Sequence, residues 1–315
     1  MQGLDPLVQK EKVLPRIYNE KENKRLVRRL RRGYSYCGVT TIDVIGCNML
    51  CAYCYVATDF LVGKGELLDR ELKKGDIQWF TPNELARHVS CSIRKNRWPS
   101  RIQMTAAEPF ITSKWLIDFI QEIGSFCRTK QSHLWIDTNG IELWHEQSLI
   151  KELLPFKDFL RLFISSKNAP GLYTKTSRTD AKYADYSFQA LEMLWKHQIF
   201  ALLQAPMPNL WDPDSFFWYL ERLLKIHPAA PLLLEVDNMF WLPVKRISPN
   251  LKRAGWKNFQ KQNHIRSGWQ MILENHYKKK MQRLIEADKF PEDQELLPKL
   301  VFENNDILKC HLFKK

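Results

Sequence analysis

Apolar positions along the chain fall into two alternating rhythms. Short runs with near-continuous apolar character occur at TTIDVIG (40–46), RIQMTA (101–106), HLWIDT (133–138), FLRLFISS (159–166), FALLQAP (200–206) and PLLLEVDN (231–238). Runs of this kind, lacking strict alternation, predict strands covered on both faces, as in a parallel sheet. Between them lie helical periods with start signals. In TPNE, Thr81 caps, Pro82 suits the first helical position and Glu84 closes a capping box, which predicts a helix ending near Asn96. Trp115, Leu116, Phe119, Ile120, Ile123 and Phe126 form the stripe of the next helix. Another is expected over 180–197 with Phe188, Leu191 and Trp195 inward. A further helix begins at Asp212 and Pro213, with Phe216, Phe217, Leu220, Leu223 and Leu224 as its expected buried face. Strand followed by helix, repeated along the chain, predicts βαβ crossovers and a parallel α/β sheet or barrel.

Two segments break this rhythm. Residues 57–80 carry Gly63, Gly65 and Gly75 and read as a loop or flap. Residues from 240 onward are basic, bear Trp256 and Trp269, and follow a mainly helical pattern. The expected organisation is therefore a basic N-terminal arm (1–36), a core (37–240) and a C-terminal extension (241–315) that serves as a substrate or partner module.

Composition narrows the class. The chain has 315 residues, of which 44% are hydrophobic, enough for a sizeable core. No window approaches the roughly 18 apolar residues of a membrane span, and MQGLDPLVQKEK is too polar for a secretory signal. A soluble, cytoplasmic protein without a membrane partner is expected. The formal charge of +13 is concentrated in Lys24, Arg25, Arg28, Arg29, Arg31 and Arg32, and again around Lys278 to Lys280. The first run reads equally as a solvated helix face or a partner-binding arm, and the charge alone does not separate nucleic acid from acidic partners. The 7 cysteines are an odd set, which favours a reducing compartment and metal or redox chemistry over disulfides.

Three of those cysteines sit together in GCNMLCAYCYV: Cys47, Cys51 and Cys54, spaced C-x3-C-x2-C, just after the first predicted strand. In parallel α/β folds chemistry gathers at the carboxyl ends of the strands, so the spacing places the thiols at that rim. Three thiolates would leave one iron of a four-iron cubane open to another ligand. A closed zinc site needs a fourth protein ligand from a distance, such as His88 or His311. Cys37, Cys91, Cys127 and Cys310 are scattered and suggest no second cluster.

The C-x3-C-x-aromatic-C motif, with Tyr53 as its aromatic, resembles that of the radical S-adenosylmethionine (SAM) superfamily, and the resemblance spans roughly residues 38–240. TAAEP (105–109) is similar to the family's G-G-E-P segment, with Glu108 matching and Ala106 and Ala107 in place of glycines. DTNG, Asp137 to Gly140 and so including Thr138 and Asn139, resembles the corresponding segment of the branch that activates glycyl radical enzymes. SSK, Ser165 to Lys167, stands where that branch has D-x-K. The sequence also resembles uncharacterised archaeal radical SAM proteins.

What this resemblance implies is an α/β fold forming a partial (β/α)6 TIM-like barrel, with a basic, mainly helical C-terminal extension. It implies an oxygen-sensitive 4Fe-4S cluster on Cys47, Cys51 and Cys54, and SAM held by the TAAEP, DTNG and SSK turns. Tyr53 is then either core packing or part of an adenine pocket. Implied partners are SAM, an electron donor such as a ferredoxin or flavodoxin, and a substrate that is a protein in the activase-like reading. Two alternatives remain open. The basic charge suits an RNA-modifying enzyme of the same superfamily, and a zinc-bound, non-catalytic nucleic-acid-binding module is the reading from another class.

Overall fold

The computed structural model describes residues 3–33, 38–206, 213–227, 230 and 234–237. The N-terminal segment forms helix α1 (Pro6–Ile17) and strands β1 (Tyr18–Asn19) and β2 (Lys24–Gly33). Strand β3 (Val39–Val44) follows, then helices α2 (Thr58–Val62) and α3 (Glu66–Lys74), strand β4 (Gln78–Phe80) and helix α4 (Pro82–Asn96). The chain continues through β5 (Ile102–Thr105), α5 (Ser113–Thr129), β6 (Leu134–Thr138), α6 (Ile141–His145), α7 (Ser148–Leu153) and β7 (Leu160–Ser165). The last described elements are α8 (Pro170–Ser177), α9 (Tyr186–Lys196), β8 (Ala201–Pro206), α10 (Pro213–Ile226) and β9 (Leu234–Asp237).

Strands β3, β5, β6, β7, β8 and β9 pair in parallel and in chain order. Unpermuted order with helices in the connections is the layout of a partial (β/α)6 barrel. Period-2 alternation splits each strand between two environments. Ile42, Val44, Ile102, Met104, Leu134, Ile136, Leu162, Ile164 and Leu203 pack with Leu85, Trp115, Phe119 and Leu191 of the covering helices in one large core. On the opposite face, Val39, Trp135, Phe163, Phe200 and Leu202 form a separate apolar cluster. That double burial is why the strands read as nearly continuous apolar runs.

Helix α4 starts with the expected capping box, Thr81 and Glu84 each bonding the other's backbone. Helix α5 buries Trp115, Leu116, Phe119, Ile120 and Ile123, while Cys127 takes the end of the stripe and Phe126 is only half-buried. The expected face of α10 needs correction. Phe217 is 57% exposed and Leu224 43% exposed, whereas Ser215, Tyr219, Leu220 and Leu223 are buried. Tyr219 sets this rotation: its ring lies 5.2 Å from that of Phe188 and its hydroxyl donates to Ser166 Oγ at 2.8 Å. The side chain of Phe216 and residue Asp212 lie outside the described residues.

Residues 57–80 are not a loop or flap. They form α2, α3 and β4, with Gly63 and Gly75 as left-handed helix caps. Phe60, Leu61, Leu68 and Ile77 join Val13, Ile17, Leu26, Ile45, Val56 and Ile111 in a second core under the cysteine loop.

Nor is the N-terminal basic run a helix face. It is strand β2, antiparallel to β3. Arg28 pairs with Glu71, and Arg29 and Arg31 both pair with buried Asp43. Arg25 is wholly buried. Among the described residues, no helix is long and apolar enough to cross a membrane. The C-terminal extension, with Trp256, Trp269, Lys278 to Lys280, Cys310 and His311, lies outside the described residues, as does Cys37.

Candidate functional site

Immediately after β3, Gly46 turns the chain with φ +91°, and a Cβ there would come within 2.1 Å of Ile17 Cδ1. Only glycine meets both demands. The turn is tied on three sides: Gly46 N donates to Phe60 O, Cys47 N to Leu61 O and Ala52 N to Thr176 O, while Gly46 O accepts from Glu108 N. The cysteine loop is thereby fixed by α2, α8 and the turn after β5.

Cys47, Cys51 and Cys54 are free and partly accessible. Burial pushes all three thiols up: Cys47 well above its ordinary 9.0, Cys54 to about 12, and Cys51 in the same direction. After burial, the main contributors are the Glu108 charge at Cys47 and mutual repulsion with Cys51 at Cys54. Lys167 opposes the rise at Cys51 and Cys54. A bound metal's positive charge would reverse this rise, and three thiols within one eight-residue loop are a donor set that fits a thiolate-ligated metal group. Among the described residues, no three His, Cys, Asp or Glu side chains are grouped round one metal-ion position. A cubane differs from a single zinc ion in taking each thiolate on a separate iron. His88, the candidate for a fourth zinc ligand that falls among the described residues, lies on α4 with its ring 5.5 Å from that of Phe80.

Glu108, in the TAAEP turn, is 1% exposed. Its Oε1 accepts from Phe110 N at 3.1 Å and Thr138 Oγ1 at 2.7 Å, and its Oε2 accepts from Asn139 N at 2.8 Å. A carboxylate has about four acceptor positions, so one remains for a donor such as an ammonium group. Burial raises this carboxyl to about 7 despite those bonds, and a cation would reverse that shift. Ala106, in the position where the resemblance places glycine, adopts φ +81°, a conformation that disfavours side chains. Ala107 is partly buried between the two cores.

Asn139 also donates to Asn48 Oδ1 at 2.7 Å, Asn48 donates to Glu142 Oε1 at 3.0 Å, and Lys10 pairs with Glu142 at 2.7 Å. Buried amides and carboxylates thus connect α1, the cysteine loop, the DTNG turn and Glu108. Asp137 stands on the inner face instead, accepting from Gln103 Nε2 at 2.9 Å. Lys167 Nζ donates to Ser165 Oγ at 2.7 Å. Tyr53 is buried beside Cys51, with Tyr173 and Tyr219 near it. Asn48, Glu142, Lys10 and Arg25 carry no motif that marks them in the sequence. Only the position of Asn48 between two of the clustered cysteines, and of Glu142 two residues past DTNG, hinted at them.

No protein-family model and no curated protein matches the sequence. Solved structures with similar chain courses include native anSMEcpe with bound AdoMet and Cp18Cys peptide, 14% identical, with 61% of this chain and 48% of that one covered at a TM-score of 0.41. Streptococcus suis SuiB is 8% identical, with 68% of this chain and 47% of that one covered at a TM-score of 0.42. The chain thus spans about half the length of these structures.

Proposed function

We propose that this protein is a radical SAM enzyme in which Cys47, Cys51 and Cys54 hold a 4Fe-4S cluster and the turns after β5, β6 and β7 hold SAM. The observation that carries the proposal is the convergence of three thiols in one loop with Glu108, a buried carboxylate with one unused acceptor position. When bound, the cluster and SAM would supply one-electron reductive cleavage to a 5'-deoxyadenosyl radical that takes hydrogen from a substrate. The chain's residues bind and orient. Glu108 would accept the amino group, Lys167 would meet the carboxylate, and the Asn139–Asn48–Glu142 network holds the cysteine loop in register with both. The buried faces around the loop, including Met49, Ile141, Tyr173 and Tyr183, exclude water.

A protein substrate is favoured over RNA by the DTNG and SSK turns and by the state of the basic strand. Arg28 is already paired with Glu71, and Arg29 and Arg31 share Asp43, so part of the positive charge of β2 is met within the protein. Anaerobic reconstitution with iron and sulfide, chemical reduction, and assay for 5'-deoxyadenosine from SAM tests the activity. Formation of that product supports it; zinc as the bound metal with no SAM turnover would refute it.

A further inference from the structure

One buried charge beneath the cysteine loop has no role in the chemistry above. Arg25, on β2, is 0% exposed. Its Nη1 donates to Pro109 O and Thr112 Oγ1, both at 2.7 Å, and its Nη2 to Glu108 O at 3.0 Å and Ile45 O at 3.2 Å. The guanidinium also lies 5.7 Å from the centroid of the Trp115 ring. Every one of these acceptors is neutral, and no ion pair to Arg25 forms among the described residues. This contrasts with Arg28, Arg29 and Arg31 on the same strand, each paired with a carboxylate.

A buried cation without a counter-ion is expensive, and it persists where an anion shares its environment. The groups whose charges act on Arg25 are Glu108 and Cys47. Its four acceptors belong to the two turns that carry those groups: Ile45 lies two residues before Cys47, and Glu108, Pro109 and Thr112 belong to the segment after β5. The guanidinium therefore joins the two turns, one of which carries the cysteines.

The geometry points to Arg25 as a positioning residue that locks the cysteine and TAAEP turns together and, through its charge, favours the more negative, reduced state of the bound metal group. This rests on the radical SAM reading. The couple concerned gains one electron from an external low-potential reductant such as dithionite, which loses one; no bond or proton changes.

The test is a redox titration, followed by electron paramagnetic resonance, of anaerobically reconstituted full-length protein with iron per chain counted. Arg25→Gln is expected to lower the reduction equilibrium about tenfold, which is about 59 mV for one electron. Thr112→Asp keeps the guanidinium but gives it a carboxylate, and shifts the potential in the same direction. Thr112→Val removes one acceptor and no charge, and leaves the potential where it was. A Thr112→Asp titration that overlays the unmodified protein, or a Thr112→Val shift as large as that of Thr112→Asp, overturns the inference. These two variants decide the matter if Arg25→Gln does not fold. Failure of the unmodified chain to take up an iron-sulfur cluster sinks the functional reading and this inference together. A normal cluster whose potential ignores Arg25 sinks the inference alone.

Discussion

The inner face of the sheet changes character along the strands. At their amino ends Val39, Trp135, Phe163, Phe200 and Leu202 close it with apolar side chains. Further along the same strands it carries Asp43, Asp137, Ser165 and Gln204, and beyond the carboxyl ends come the cysteine loop and the Glu108 network. The apolar end is held by area removed from water, which any well-fitting hydrophobic set supplies. The polar end is held by hydrogen bonds that lose their value if a single partner is absent. Stability should therefore respond to changes at one end and chemistry to changes at the other.

The largest effect that separates the ends is expected from Cys47→Ala, Cys51→Ala or Cys54→Ala. In the proposed function each would remove one of three cluster ligands with no spare, so iron uptake and 5'-deoxyadenosine formation should be abolished while the urea midpoint of metal-free protein barely moves. Retained turnover in any of the three would break the comparison. At the other end, Trp135→Ala empties a fully buried site and should cost about 3–5 kcal/mol in urea unfolding. A loss below about 1 kcal/mol would show that the apolar cluster is not a stability element.

Glu108 tests the boundary, since its carboxylate holds three donors of the fold and, in the proposed function, would also meet the ligand. Glu108→Ala leaves the Thr138 hydroxyl and the Asn139 and Phe110 amides without their acceptor, at a cost of about 1–3 kcal/mol, and should weaken SAM binding by a comparable amount in calorimetry. The same residue predicts a pH effect. Burial raises its carboxyl from an ordinary 4.5 to about 7, so the folded chain keeps a proton that the unfolded chain releases. This contribution to stability is complete below about 4.5 and is lost as pH rises through about 7. Between pH 5 and pH 8 the unmodified metal-free protein should lose stability relative to Glu108→Gln; parallel curves would show that Glu108 does not titrate in that window. The smallest effect is expected from Ala106→Gly, which relieves the left-handed backbone and should stabilise the chain by about 0.5–1 kcal/mol.

Where local chemistry dominates, the sequence was legible. The capping box at Thr81 and Glu84, the stripe of α5 and the apolar runs of the parallel strands follow from neighbours a few residues apart. The placement of Cys47, Glu108, Asn139 and Lys167 beyond successive strand ends followed from the same pattern. Legibility failed where a distant partner decides. The glycines in residues 57–80 suggested a flap, but two of them cap helices whose apolar sides meet α1. Phe217 and Leu224 fit a helical stripe, yet Tyr219 docking on Phe188 and Ser166 turned α10 away from them.

By itself the amino-acid order determined the parallel α/β architecture and gathered three thiols into one short loop, because periodicity and spacing are properties of adjacent positions. Only tertiary structure decided which arginines on β2 are neutralised and which one is buried against backbone carbonyls. Arg25 meets Ile45 across 20 positions and Glu108 across 83, and its environment depends on which strand ends the fold brings together. Charge is written in the sequence, but its solvation and its partners are set by three-dimensional neighbours.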